Sequence, residues 1–100
     1  MNKSELIPAV QKRLQETHGR GFKRDGIQEV LVAAFEIIQE EVANGEKVMW
    51  TGFGVFEPYD RRERKAINPR TGEEMFVKAR RSPKFTPAKQ FKEKVERLSE

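Results

Sequence analysis

Residues 61–84, RRERKAINPRTGEEMFVKARRSPK, limit this fold more than any other part of the chain. Nine Lys/Arg (Arg61, Arg62, Arg64, Lys65, Arg70, Lys78, Arg80, Arg81, Lys84) stand against three acids, a net of +6. The whole chain is only +4, so everything outside the segment sums to −2. A stretch this basic and this poor in apolar residues has little to bury. It must project from a core built elsewhere. At its centre lies Asn68-Pro69-Arg70-Thr71-Gly72. Proline presets φ at the second position of a turn and glycine accepts the exit geometry, so the segment reads as a ribbon folded back on itself. Cations on a ribbon suit the groove of a nucleic acid, where Lys and Arg neutralise phosphates and release counterions.

The rest of the chain must supply that core. One hundred residues make one domain, and small domains bury a low fraction of their surface. Apolar and charged residues each make up 36%, and there is no cysteine. Without disulfides or thiolate metal sites, oligomerisation is the remaining way to enlarge the core. The absence of cysteine is compatible with a reducing cytoplasm. The opening MNKSELIP lacks the apolar stretch of a signal peptide. The longest apolar run, Val30 to Phe35, is far too short to span a bilayer. A pI near 9.6 favours a polyanionic partner.

Two helices come first. Leu6, Ile7, Val10 and Leu14 recur at helical spacing over residues 3–16. Asn2 or Ser4 is the candidate cap. A cap at Asn2 puts Pro8 inside the helix, so a start at Ser4 or later is expected. Residues 17–24 read as a loop. A second helix is expected over about 25–43. Its stripe of Ile27, Val30, Leu31, Ala34, Phe35, Ile38 and Val42 is widened by Val32, Ala33 and Ile37. A helix apolar on so much of its circumference has more than one partner. Asn44-Gly45 stops it.

The period then shortens. Val48 and Trp50 alternate as in a strand. Thr51-Gly52 turns the chain, and Phe53-Gly54-Val55-Phe56 begins a second strand, Gly54 allowing a bulge or close packing. Met75 to Phe85 returns the ribbon. Thr86 as cap and Pro87 as first residue open a last helix edged by Phe91, Val95 and Leu98. The expected order is α-α-β-β-β-α. The segments are a helical part (1–45), a sheet with its arm (46–86) and a C-terminal helix (87–100) within the single domain 1–100.

GEKV, GFGVFE, the arginine-rich segment with NPRTGEE, and PKFTP before a short helix occur in that order. Together they closely resemble the bacterial histone-like HU and integration host factor (HU/IHF) proteins over nearly the whole chain. The exceptions are a longer loop near 15–21 and a few extra C-terminal residues. The resemblance implies an α+β fold of two N-terminal helices, a three-stranded antiparallel sheet with a long β-ribbon arm, and a short C-terminal helix. It implies an intertwined homodimer, or a heterodimer with a paralogue, whose arms wrap double-stranded DNA in the cytoplasm at the nucleoid. Pro69 takes the family's intercalating role, flanked by Asn68, Arg70 and Thr71. Arg61, Arg62, Arg64, Lys65, Lys78, Arg80 and Arg81 become candidate DNA contacts. Lys3, Lys84, Lys89 and Lys92 could meet the flanks of a bent duplex. Phe53, Phe56 and Phe85 match the family's aromatic cluster at the dimer interface, with Phe35 and Trp50 assigned to the same core. Tyr59 and Ile67 depart from the family by replacing arginines, and Pro58 interrupts the strand at the base of the arm.

Catalysis finds no support. His18 is the sole histidine, without an obvious carboxylate or nucleophile partner. One histidine and no cysteine disfavour catalytic zinc. Gly19-Arg20-Gly21 follows no strand and is not a dinucleotide fingerprint. No cofactor, small-molecule substrate or membrane partner is expected. The rival reading is a structural or interaction protein that keeps the fold with altered DNA or RNA binding. An obligate dimer makes a simple prediction: the melting temperature should rise with protein concentration, and sedimentation at micromolar concentration should show dimer alone.

Overall fold

The computed structural model describes residues 1–99, and side chains through Leu98. Glu100, the end of the expected C-terminal segment, lies outside the described residues. The chain divides into two compact units, Met1–Ile37 and Ile38 onward.

The first unit holds α1 (Lys3–His18) and most of α2 (Arg24–Ala43). The start of α1 differs from expectation: Asn2 is the cap and Pro8 lies inside the helix. The cap is hydrogen-bonded through both its side chain and its carbonyl. Asn2 Oδ1 accepts from Ser4 Oγ at 2.8 Å and from Glu5 N–H at 3.1 Å. The Asn2 carbonyl accepts from Leu6 N–H at 2.9 Å. At the other end Gly19, with φ 67°, caps the helix and donates to the Gln15 carbonyl. The loop is therefore shorter than the sequence suggests. Gln11 fixes it: Nε2 donates to the Phe22 carbonyl at 2.8 Å, and Oε1 accepts from Arg24 Nε at 3.0 Å. Ile7 and Ile27 are buried.

The second unit begins within α2. Its end has the hydrogen bonds of a Schellman motif: Glu46 N–H to the Glu41 carbonyl, and Gly45 N–H to that of Val42. Gly45 takes φ 89°, which favours glycine. Then come β1 (Val48–Trp50) and β2 (Gly54–Arg61). β3 (Arg64–Ile67), β4 (Glu74–Val77), β5 (Arg80–Pro87) and α3 (Lys89–Ser99) complete the chain. β1, β2 and β5 form one antiparallel sheet, in that order; β3 and β4 form a separate two-stranded ladder.

The strands begin and end differently from the sequence reading. β2 starts at Gly54 rather than Phe53. Thr86 and Pro87 belong to β5, paired with Val55 and Gly54. Ala88 N–H donates to the Phe53 carbonyl at 2.9 Å, which holds this stretch extended. Only then does the Ala88 carbonyl accept from Lys92 N–H and α3 begin. Thr86 is thus not a cap and Pro87 not a first helical residue. Pro58 does not break the sheet either. It lies within β2, directly opposite Pro83. Proline has no N–H, so both fit where amides face away from the partner strand.

Phenylalanines fill the angle between sheet and α3. Ring centroids lie 4.8 Å apart for Phe56–Phe85, and 5.3 Å for both Phe53–Phe85 and Phe53–Phe91. Gly54 makes this packing possible. A Cβ there would lie 2.6 Å from both the Phe85 ring and the Thr86 carbonyl oxygen. Gly54→Ala should therefore destabilise the protein by roughly 1–3 kcal/mol, the usual cost of overpacking. A thermal melt would read this as a drop of several degrees; an unchanged melt would refute the packing argument.

Candidate nucleic-acid interface

The arm is one hairpin drawn out beyond the sheet. β2 pairs with β5 from Gly54–Pro87 to Arg61–Arg80. β3 pairs with β4 from Arg64–Val77 to Ile67–Glu74. The same numerical register runs through both, with two residues on each strand, Arg62-Glu63 and Lys78-Ala79, between the ladders.

The bonding phase nevertheless changes across this break. Pro58, Pro83 and Pro87 must occupy rungs without paired amides, which places the paired rungs between them. Counting in twos from the Ala88–Phe53 bond makes Arg61–Arg80 a paired rung. In the distal ladder Asn68 N–H donates to the Glu73 carbonyl at 2.9 Å, which makes Arg64–Val77 a paired rung too. Three steps along each strand separate these rungs, whereas an unbroken ladder needs an even number. Each strand carries one extra residue at the break, and the alternation of side chains resets there. Plain alternation along residues 61–65 therefore does not assign these side chains to faces across the break. At the break lies an open depression of about 670 Å³. Arg61, Arg62, Arg64, Lys78 and Arg80 line it, with Asp60 and Glu63.

The tip is rigid for its size. Asn68 Oδ1 accepts from Arg70 N–H at 2.9 Å, an Asx turn around Pro69. Gly72 N–H donates to the Asn68 carbonyl at 2.8 Å, and Thr71 Oγ1 accepts from Glu73 N–H at 3.3 Å. Gly72 adopts φ 72°, a left-handed exit. Pro69, Arg70 and Thr71 are exposed at the end of the ribbon, and Asn68 is half-buried.

All nine arm cations are exposed. Two have local partners that the sequence reading missed. Arg81 Nε donates to Asp60 Oδ1 at 3.0 Å across the strands. Lys84 Nζ lies 5.4 Å from the centroid of the Tyr59 ring. Tyr59 therefore seats a cation against its ring. Counting back along one register from the turn would have paired Asp60 with Arg81. At the base, Lys47 Nζ meets Glu57 Oε2 at 3.4 Å. Arg61 and Arg80 face one another directly, an arrangement that repels by itself and favours a bridging anion.

Lys3, the first residue of α1, lies in the first unit, and the arm lies in the second. Lys89 and Lys92 lie in the first turn of α3 and are exposed. The residues assigned to a dimer core divide likewise. Phe53, Phe56 and Phe85 form the cluster, with Phe91 added. Phe35 (51% exposed) and Trp50 (73%) stay open, so Trp50 is not core within its own chain.

A family model described as bacterial DNA-binding protein matches residues 1–96. The chain belongs to the bacterial DNA-binding protein family. It is 43% identical over 95 residues to the DNA-binding protein HU of Synechocystis, covering 95% of each chain. It is 45% identical to that of Geobacillus stearothermophilus, covering 95% of this chain and 99% of the relative. A solved complex of Anabaena HU with DNA matches at a TM-score of 0.79 with 42% identity, over 95% of this chain and 97% of that one. The α+β fold expected from the sequence is the fold of these HU proteins. Within the family's arm, Asp60→Asn tests whether Arg81 is held back from DNA. An exposed ion pair contributes at most about 1 kcal/mol. The substitution should tighten binding roughly threefold at low salt, and steepen the slope of log K against log salt by up to about 0.9 for each freed Arg81. A titration with an unchanged slope would keep Arg81 out of the contact.

Proposed function

We propose that this chain is a histone-like architectural protein that binds and bends double-stranded DNA through the minor groove, with low sequence specificity. The observation that carries the reading is the arm itself: a narrow ribbon of exposed cations ending in a rigid, exposed proline. Arg61, Arg62, Arg64, Lys65, Lys78 and Arg80 supply phosphate and groove contacts. Pro69 supplies the wedge, with Asn68, Arg70 and Thr71 around it. A ring can replace a stacking surface, and one fixed by an Asx turn loses little entropy on insertion. HU and integration host factor are themselves standing examples of this binding mode. The cost of unstacking a step, a few kcal/mol, is the general value for the mode. A minor-groove ribbon reads mainly width and flexibility, which gives low specificity.

Lys3, Lys84, Lys89 and Lys92 belong to the flanks of the footprint in this reading, and Arg81, paired with Asp60, is a further arm contact. The work is non-enzymatic and takes place at the bacterial nucleoid in the cytoplasm. Among the described residues, no helix is long and apolar enough to cross a membrane.

The active form in this reading is a homodimer. Two open apolar surfaces support it. In the first unit, Val10, Leu14, Phe22, Ile27, Val30 and Leu31 line an apolar groove of about 280 Å³. In the second, Trp50 stands exposed at the end of β1, near the phenylalanine cluster in sequence. A second copy would cover both.

Two measurements check the proposal. If about eight phosphates are neutralised per dimer, log K should fall with log salt at a slope near −7. A slope shallower than about −3 would mean that the arms do not lie along the backbone. Pro69→Ala should keep most of the charge-driven affinity and bend DNA less, read as a smaller energy-transfer change between end labels. If a Pro69→Ala, Ile67→Ala double variant bends as the parent does, the proline is only a turn residue.

A further inference from the structure

The distal ribbon carries large apolar side chains that its own chain leaves uncovered. Ile67 is 69% exposed and Phe76 59%. β3 and β4 are the only strands of their sheet. Phe76 stands directly across from Lys65, and Ile67 across from Glu74. Cross-strand partners share a face, and diagonal neighbours stand about 7–8 Å apart, within reach of an aromatic ring. Phe76 and Ile67 therefore lie together on one face, with Lys65 and Glu74 beside them. Ile67 is two residues from the exposed Pro69.

Phosphate contacts do not require such a face. Phosphates need cations, and an exposed ring and a branched aliphatic group gain nothing from them. The duplex does offer an apolar surface next to its phosphates: the deoxyribose rings and base edges that wall the minor groove. A ribbon laid in that groove puts one face against the wall while its cations reach the rim. The apolar strip from Ile67 to Phe76 spans two rungs, about 7 Å along the strand. That matches roughly two base steps at about 3.4 Å each.

We propose that Phe76 and Ile67 form an apolar grip that seats against the sugar and base-edge wall of the minor groove, with Lys65 on the adjacent phosphate strand. The proposal rests on the DNA-binding reading above. It adds a part of the affinity that does not depend on salt, because no counterion is released when a ring is buried.

Phe76→Thr tests this, since threonine keeps the strand preference and removes the ring. Binding to a duplex of about 30 base pairs is titrated by fluorescence anisotropy at several salt concentrations. The variant should bind roughly tenfold more weakly at every salt, at unchanged slope, as expected for the loss of an aromatic contact. Phe76→Tyr should restore the affinity. Ile67→Arg should instead steepen the slope, by about 0.9 for each phosphate gained. Parent-like binding by Phe76→Thr overturns the grip, as does a loss that appears only with a changed slope. If Phe76→Thr leaves DNA binding intact but alters sedimentation of the protein alone, the face covers a second copy and the proposal is wrong. If the parent itself fails to bind duplex DNA, the functional reading falls and the grip falls with it.

Discussion

The antiparallel pairing of residues 54–61 with 80–87 is the constraint on which the second unit depends. It brings Phe56 opposite Phe85 and so creates the aromatic cluster that α3 completes through Phe91. It fixes where α3 starts, because Pro87 and Ala88 stay extended until the last bond to Phe53 is made. It also launches the arm, since the same two strands continue outward once β1 has ended at the base. The close approach of Gly54 to the Phe85 ring is the tightest point of this arrangement. Even a methyl group there has nowhere to go.

The arm is held by different physics. Beyond the sheet it is two strands wide, and an isolated two-stranded ribbon is marginal in water. Turn chemistry closes its far end, through Asn68, Thr71 and Gly72. Cross-strand contacts steady its base: Lys47 with Glu57, Arg81 with Asp60, and Lys84 over Tyr59. Between these lies the break at 62–63 and 78–79, where the bonding phase resets. Among the described residues most of the arm's cations are exposed and hold no salt bridge, and Arg61 directly faces Arg80. Such a charge distribution is favourable only beside an anion. The proposed function follows from it: the cost of keeping like charges adjacent is relieved when a phosphate backbone is laid along the ribbon.

Much of this was legible in the chain. The concentration of cations in 61–84, the turn at 68–72, the Asn44-Gly45 stop and the order of elements all follow from local chemistry. Each depends on residues close in sequence, so composition and spacing report it directly. The errors share a cause as well. A start at Ser4 looks better than one at Asn2 in the sequence, because the cost of Pro8 is visible there and the added bonds at Asn2 are not. Thr86-Pro87 has the local form of a helix start, yet pairing with Gly54 and Val55 keeps it in a strand. Pro58 reads as a strand breaker until Pro83 is seen across from it, on a rung that asks for no amide.

The sequence by itself determined the two long helices, the basic ribbon and its turn in outline, and where the charge lies. Propensity, capping and turn geometry act over a few residues, and charge is simply counted. Only the tertiary structure decided which residues meet. Asp60 lies 21 positions from Arg81 and is hydrogen-bonded to it. Phe76 shares a face with Ile67 because it pairs with Lys65, two residues back along the facing strand. Register is set jointly by the turn, the core phenylalanines and the rungs that tolerate proline, and a joint constraint of this kind appears only when both strands are in place.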